Sequence, residues 1–171
     1  PLEETMEALA QAVRSGKALY AGISNYDKKS TEEAKAIMKE LHCPLIVNQR
    51  SYSIFNREIE EDGVKKCCKE IGMGIIAFSP LAQGLLTDKY LHGIPKDSRI
   101  ASDSPFLNRD DLTPERLKQK DALNKLAAQR GQTLAQMALA WILKDDEGCS
   151  VLIGASRPEQ ITENVKIVEH T

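Results

Sequence analysis

Four polar runs carry the residue types that could do chemistry: Ser24-Asn25-Tyr26, Asn48-Gln49-Arg50, Ser79-Pro80 and Gly154-Ala155-Ser156-Arg157. Each directly follows a short apolar run. For Ser24 and Asn25 two readings stay open, a ligand contact or a plain turn, since both residues favour turns and local backbone bonds. Gln49 is more demanding. A carboxamide buried at a strand end needs partners for two donors and an acceptor, and a ligand amide supplies them. Gly154 to Arg157 opens a helical pattern, where free backbone amides and the helix dipole favour an anion such as phosphate. Glycine permits close approach and Arg157 adds charge, while an ordinary helix cap is the alternative.

The elements that must position these residues alternate. Leu2, Met6, Leu9, Ala10 and Val13 recur at helical spacing, with Glu3 and Glu4 in the first turn and Gly16 placed to end the helix. Residues 19–23 read as a buried strand. Ser30 and Glu33 form a capping box for a second helix carrying Ala34, Ile37, Met38 and Leu41. Residues 45–48 form a second strand, Val64, Cys67, Cys68 and Ile71 mark a third helix ending at Gly72, and residues 74–78 form a third strand. Residues 81–112 are irregular, long enough to suggest a binding loop. Thr113-Pro114 starts another helix, and Thr133 with Gln136 caps the next, which is apolar nearly all round. Residues 150–153 give a fourth strand. Ser156 with Glu159 caps a last helix, whose inner face should be Ile161, Val165 and Val168.

Short, apolar, non-alternating strands separated by helices predict an α/β fold with a parallel sheet. A doubly wound sheet or part of a (β/α)₈ barrel would fit, although no G-x-G-x-x-G follows a strand. In either fold the ends of the strands share one face, and that face hosts the site.

The bulk chemistry narrows the partners. Basic and acidic residues nearly balance, at 23 and 25, and no basic stripe exists for a nucleic-acid backbone to follow. No apolar run approaches the roughly 20 residues needed to span a bilayer. Cys43, Cys67, Cys68 and Cys149 match no zinc spacing and read as reduced thiols of a cytoplasmic protein. No metal site is expected.

Several segments together resemble the aldo-keto reductases, in the branch with bacterial glyceraldehyde-phosphate-type reductases and potassium-channel β-subunits. They are Gly22-Ile23-Ser24-Asn25-Tyr26; Asn48-Gln49 with Tyr52-Ser53 and Phe55-Asn56-Arg57; Phe78 through Thr87 with Lys89-Tyr90; Gly131-Gln132-Thr133 with Ala140-Trp141; and Val151 through Gln160 with Glu163-Asn164. The resemblance implies that the chain is the C-terminal half of a (β/α)₈ TIM barrel, strands five to eight with their helices, in one partial domain over residues 1–171. It implies NADPH/NADP extended across the strand ends, with residues 81–112 as a long loop over it. Ser24, Asn25 and Gln49 would hold the nicotinamide carboxamide and Phe78 would stack on its ring. Ser79, Pro80, Leu81, Ala82, Gln83 and Gly84 would form the loop around the pyrophosphate, with Lys89 and Arg99 reaching the phosphates. Gly154, Ser156, Gln160, Glu163 and Asn164 would take the adenosine and 2′-phosphate end, helped by Arg157. Ala155 departs from branches that carry a lysine there.

The family reduces carbonyls with a tyrosine proton donor supported by aspartate, lysine and usually histidine. None of those motifs occurs here, so no catalytic residue is assigned. The chain opens at Pro1 without an initiator methionine and closes directly after a helical pattern. These features lead to the expectation of a fragment of a full reductase, inactive alone, whose substrate is a small carbonyl compound. Such a piece would self-associate or pair with the missing half-barrel. A nucleotide-binding regulatory subunit with little turnover is the alternative, and a barrel for another phosphorylated ligand a third.

Overall fold

The computed structural model describes residues 1–89, 112–144 and 148–169. The chain forms two compact units. The first holds residues 1–52, 56–78 and 145–152; the second holds residues 53–55, 79–144 and 153–171.

In the first unit, α1 (Leu2–Arg14), α2 (Lys28–Glu40), α3 (Glu58–Glu61) and α4 (Val64–Glu70) accompany β1 (Ala21–Ser24), β2 (Leu45–Ser51), β3 (Gly74–Phe78) and β4 (Cys149–Val151). All neighbouring strands are parallel, and their order is β1-β2-β3-β4. A doubly wound sheet reverses its strand order part-way, whereas a barrel adds each strand beside the last. The observed order is that of a partial barrel. Met6 and Ala10 of α1, Ala34 and Met38 of α2, and Val64, Cys67 and Cys68 of α4 are buried, as are Ala21, Ile23, Leu45, Ile75 and Ala77 of the sheet.

Register divides the sheet into two faces. Gly22 lies beside Val47 and Val47 beside Gly74; the next row up is Ser24, Gln49, Ile76 and Ser150; above it Ser51 lies beside Phe78. The intervening residues, among them Ile23, Asn48, Ile75, Arg50 and Ala77, form the buried opposite face.

Several boundaries differ from the sequence reading. The first strand begins at Ala21, leaving Leu19 86% and Tyr20 66% exposed. The amides of Lys17 and Ala18 both fold back to the Ala12 carbonyl, so the chain reaches β1 only after that turn is complete. The second helix starts a turn early. Asp27, in extended conformation, accepts the Ser30 amide at 2.7 Å, so Ser30 is helical and not a cap. β2 runs on to Ser51, which puts Asn48, Gln49 and Arg50 inside a strand and not in a turn. The helix α3 had no counterpart in the sequence reading; Asn56 Oδ1 accepts the Glu58 amide at its start.

The second unit contains a 3₁₀ turn (Ala82–Gly84), α5 (Pro114–Gln129), α6 (Leu134–Leu143), α7 (Pro158–Val165) and a closing 3₁₀ turn (Lys166–Glu169). Thr113 caps α5 through the Arg116 amide, and Thr133 and Gln136 form the expected reciprocal capping box on α6. The core gathers Leu86, Ala127, Leu134, Met137 and Ala138, with Ile54, Phe55, Leu81, Ala82 and Leu123 packed around them. The last helix turns a different face inward from the one expected. Asn164 and Ile167 are buried, while Ile161, Val165 and Val168 are exposed. Gln136 Nε2 donates to the Glu163 carbonyl at 2.9 Å and holds α7 in that rotation. The expected loop over residues 81–112 lies outside the described residues from 90 to 111, as does Arg99.

A methyl group added at Gly22 would lie 2.6 Å from Val47 Cγ2, far inside contact distance. Gly22→Ala is therefore expected to destabilise the chain by about 1–3 kcal/mol through overpacking. Urea unfolding of the variant beside the wild type measures it.

Candidate functional site

The strand ends of the first unit bring Ser24, Asn25 and Gln49 together. The Asn25 amide donates to the Gln49 carbonyl at 2.9 Å, and the Ser24 hydroxyl donates to the same oxygen at 3.2 Å. Asn25 Nδ2 reaches Ser24 Oγ at 3.3 Å. Asn25 holds a left-handed backbone, φ 60°, which asparagine tolerates better than most residues. These bonds order the main chain so that the half-buried Gln49 and the exposed Ser24 occupy one row of the sheet. Phe78 belongs to the next row of the same face.

Asn48 and Arg50 face the other way. Asn48 Nδ2 donates to the Tyr26 carbonyl and to Thr31 Oγ1, each at 3.0 Å, and its Oδ1 is buried without a partner. Arg50 donates to the Tyr26 carbonyl at 2.6 Å and pairs with Asp62 at 2.9 Å. Both clamp the β1–α2 connection from below. They hold Ser24 and Asn25 in place and do not contribute donors to the open face.

Tyr52 is buried, and its hydroxyl donates to Glu60, which also pairs with Arg57 at 2.5 Å. Burial first, and Glu60 second, push the phenol well above its ordinary pKa, and the Lys65 ammonium lies 5.5 Å from its ring. This tyrosine is a structural anchor, not an acid poised to give up a proton. Burial also pushes the Cys68 thiol up to about 11 and raises Cys67, which donates to Glu32. Neither thiol is primed as a nucleophile. Among the described residues no cluster of three His, Cys, Asp or Glu could hold a metal ion, and no helix is long and apolar enough to cross a membrane.

In the second unit the chain after β3 makes an unusual turn. Ser79, Ala82 and Gln83 have positive φ values of 52°, 46° and 59°. Gln83 Nε2 donates to Ser79 Oγ at 3.0 Å, and Gln83 Oε1 is buried without a partner. Pro80 is buried; Leu81 and Ala82 pack into the core, and the Gly84 carbonyl accepts from Thr87 Oγ1 at 2.7 Å. The Lys89 carbonyl accepts from the buried Lys120 ammonium of α5. Gly84, φ 98°, is the one sequence signal of the positive-φ run, and nothing in the sequence announced the buried lysine.

At the start of α7, the amides of Ser156 and Arg157 do not stand open. Gln160 Oε1 accepts from them at 2.7 and 3.2 Å, and from Ser156 Oγ at 3.2 Å. Gly154 is exposed, its φ lies outside the left-handed range, and a Cβ added there would meet nothing within 4 Å. Nothing in the fold itself demands glycine at this point. Glu163 pairs with Lys166 at 2.6 Å, and Asn164 is buried.

The aldo/keto reductase family model matches residues 1–171, the whole chain. The chain belongs to the aldo/keto reductase family. It is 49% identical over 175 residues to an L-glyceraldehyde 3-phosphate reductase of Escherichia coli (strain K12), covering 99% of this chain and 50% of that protein. It is 38% identical over 174 residues to a putative voltage-gated potassium channel subunit beta of Schizosaccharomyces pombe (strain 972 / ATCC 24843), with the same coverage. A thermostable aldo-keto reductase solved with the inhibitor epalrestat superposes with a TM-score of 0.72 at 31% identity, over 99% of this chain and 50% of that one. The chain thus spans about half the length of the relatives it matches.

Burial lowers the Lys120 pKa to about 8, with Asp88 opposing the shift. The unfolded chain keeps that proton until about pH 10.4, so it binds more protons than the folded chain between the two values. Stability contributed by this group is therefore lost below pH 8 and rises as pH climbs from 8 toward 10.4. In Lys120→Met that rise should disappear, as urea midpoints measured at about pH 8 and about pH 10 would reveal.

Proposed function

We propose that this chain supplies the nucleotide cradle of an NADPH-dependent reductase of aldehydes and ketones. The observation that carries the reading is the convergence of Ser24, Asn25 and Gln49 at adjacent strand ends, ordered through one carbonyl. A primary carboxamide such as that of nicotinamide needs both a donor and an acceptor, and Gln49 with Ser24 offers both. Phe78, on the same face, offers an aromatic surface for the ring.

The second unit fits the nucleotide end. The open space at Gly154 lets a ligand approach the backbone, and Arg157 and Ser156 offer a cation and a hydroxyl to a 2′-phosphate. The loop from Ser79 to Gly84, with Lys89 beyond it, is assigned to the pyrophosphate. The bound dinucleotide would supply the hydride. The residues of this chain would bind and orient it, while the proton donor comes from outside these 171 residues and this chain alone turns over no substrate. Likeness to a glyceraldehyde-phosphate reductase makes small phosphorylated aldehydes the first substrates to test with a complete barrel. Likeness to a channel subunit supports a second reading, nucleotide binding that regulates a partner with little turnover.

Titration of the purified chain with NADPH, followed by cofactor fluorescence, should show saturable binding at one site per chain. Absence of any binding would overturn the reading. Arg157→Glu should weaken NADPH by roughly tenfold or more, as expected for losing a charge-assisted phosphate contact, and leave NADH little changed. Gly154→Ala should weaken both nucleotides while leaving the melting temperature unaltered, because the added methyl meets only the ligand.

A further inference from the structure

Position 120 of α5 is one where packing alone would place an apolar side chain. Leu123 and Ala127, further along the same stripe of the helix, pack with Leu86 in the core of the second unit. A lysine stands at 120 instead, 1% exposed. An ammonium removed from water costs stability unless oxygen acceptors replace the water. Core packing does not account for that cost.

The ammonium is directed at the chain that follows β3, where it donates to the Lys89 carbonyl. The Lys89 amide donates in turn to Thr87 Oγ1 at 3.2 Å, and the Thr87 hydroxyl donates to the Gly84 carbonyl at 2.7 Å. Thr87 thus accepts one bond and gives another, so each polarises the other. Through Lys89 itself, the bonds lead from a helix of 16 residues to the last residue of the 3₁₀ turn, Gly84, which holds φ 98°. All of these residues lie within the second unit.

We propose that Lys120 and Thr87 are positioning residues for the cofactor's pyrophosphate, holding the Gly84 turn and Lys89 at fixed places beside it. The inference deepens the nucleotide reading and rests on it, since that reading assigns residues 79–84 and Lys89 to the pyrophosphate. Neither positioning residue needs to touch the ligand. Lys120 fixes the main chain from which the Lys89 side chain extends. Thr87 occupies the Gly84 carbonyl oxygen, which would otherwise be a bare acceptor close to an anion. A loop arranged before the ligand arrives loses less of the binding energy to ordering.

NADPH titration of the purified chain, beside urea unfolding, tests the proposal. In Lys120→Met the urea midpoint at neutral pH should rise, because the buried charge is gone. The same variant should bind NADPH roughly tenfold more weakly. A lysine with a merely structural role would move stability and affinity in the same direction. Thr87→Val, which keeps the shape and loses the hydroxyl, should weaken NADPH to a similar extent. The double variant should lose no more than either single one, since both cut the same chain of bonds. Unchanged affinity in either single variant, affinity that falls together with stability in Lys120→Met, or losses that add in the double variant would each overturn the inference. A wild-type chain that fails to bind NADPH defeats the nucleotide reading and this inference with it. A wild type that binds, with indifferent variants, defeats this inference alone.

Discussion

The close approach of β1 to β2 at Gly22 governs the arrangement of the first unit. With no side chain at that position, Val47 packs directly against the β1 backbone, and the ladder shifts register between Ala21 and Gly22. From there upward the pairing is regular, Ile23 with Asn48 and Ser24 with Gln49. A slip of one residue would turn every side chain of β1 to the opposite face. Ser24 would then face the helices and Ile23 the open side. The proximity of Ser24, Asn25 and Gln49 is thus a consequence of packing one row lower.

A second constraint works from the helix side. Asn48 and Arg50 both donate to the Tyr26 carbonyl, and Thr31 links Asn48 to the start of α2. The turn that carries Asn25 at positive φ is therefore held from beneath by two buried donors. A buried guanidinium has to be matched, and Asp62 at 2.9 Å does so. The polar residues of β2 divide their labour by parity: even positions brace the scaffold, and Gln49 between them faces the open side.

Much of this was legible in the sequence. The alternation of elements, the parallel sheet and the caps at Thr113 and Thr133 followed from apolar periodicity and cap chemistry; the shared face of the polar strand ends followed from the parallel α/β arrangement, and the grouping of Ser24 with Gln49 from the family resemblance. What was not legible had physical causes. Asp27 and Ser30 are both competent caps, and only the extended backbone at Asp27 decides between them. A strand running through Asn48-Gln49-Arg50 looks like a turn to any composition argument, because the partners that satisfy its polar groups lie 12 to 24 positions away. The rotation of α7 is set by one bond from Gln136, and its apolar positions 161, 165 and 168 gave the opposite indication. The positive φ values of Ser79, Ala82 and Gln83 fall on non-glycine residues, and in that loop only Gly84 is a residue type that marks such a backbone.

Gln160 gives the start of α7 a character of its own. Its carboxamide oxygen already serves the donors of Ser156 and Arg157, as an anion at a helix start otherwise would. An anion arriving at those amides must evict a neutral acceptor, so the number of hydrogen bonds barely changes. What remains to discriminate between visitors is charge, felt by the Arg157 guanidinium and by the dipole of the helix. The tip of the helix is thus resettable: a neutral stand-in keeps it folded and satisfied, and the exchange is driven by electrostatics that rising ionic strength will blunt.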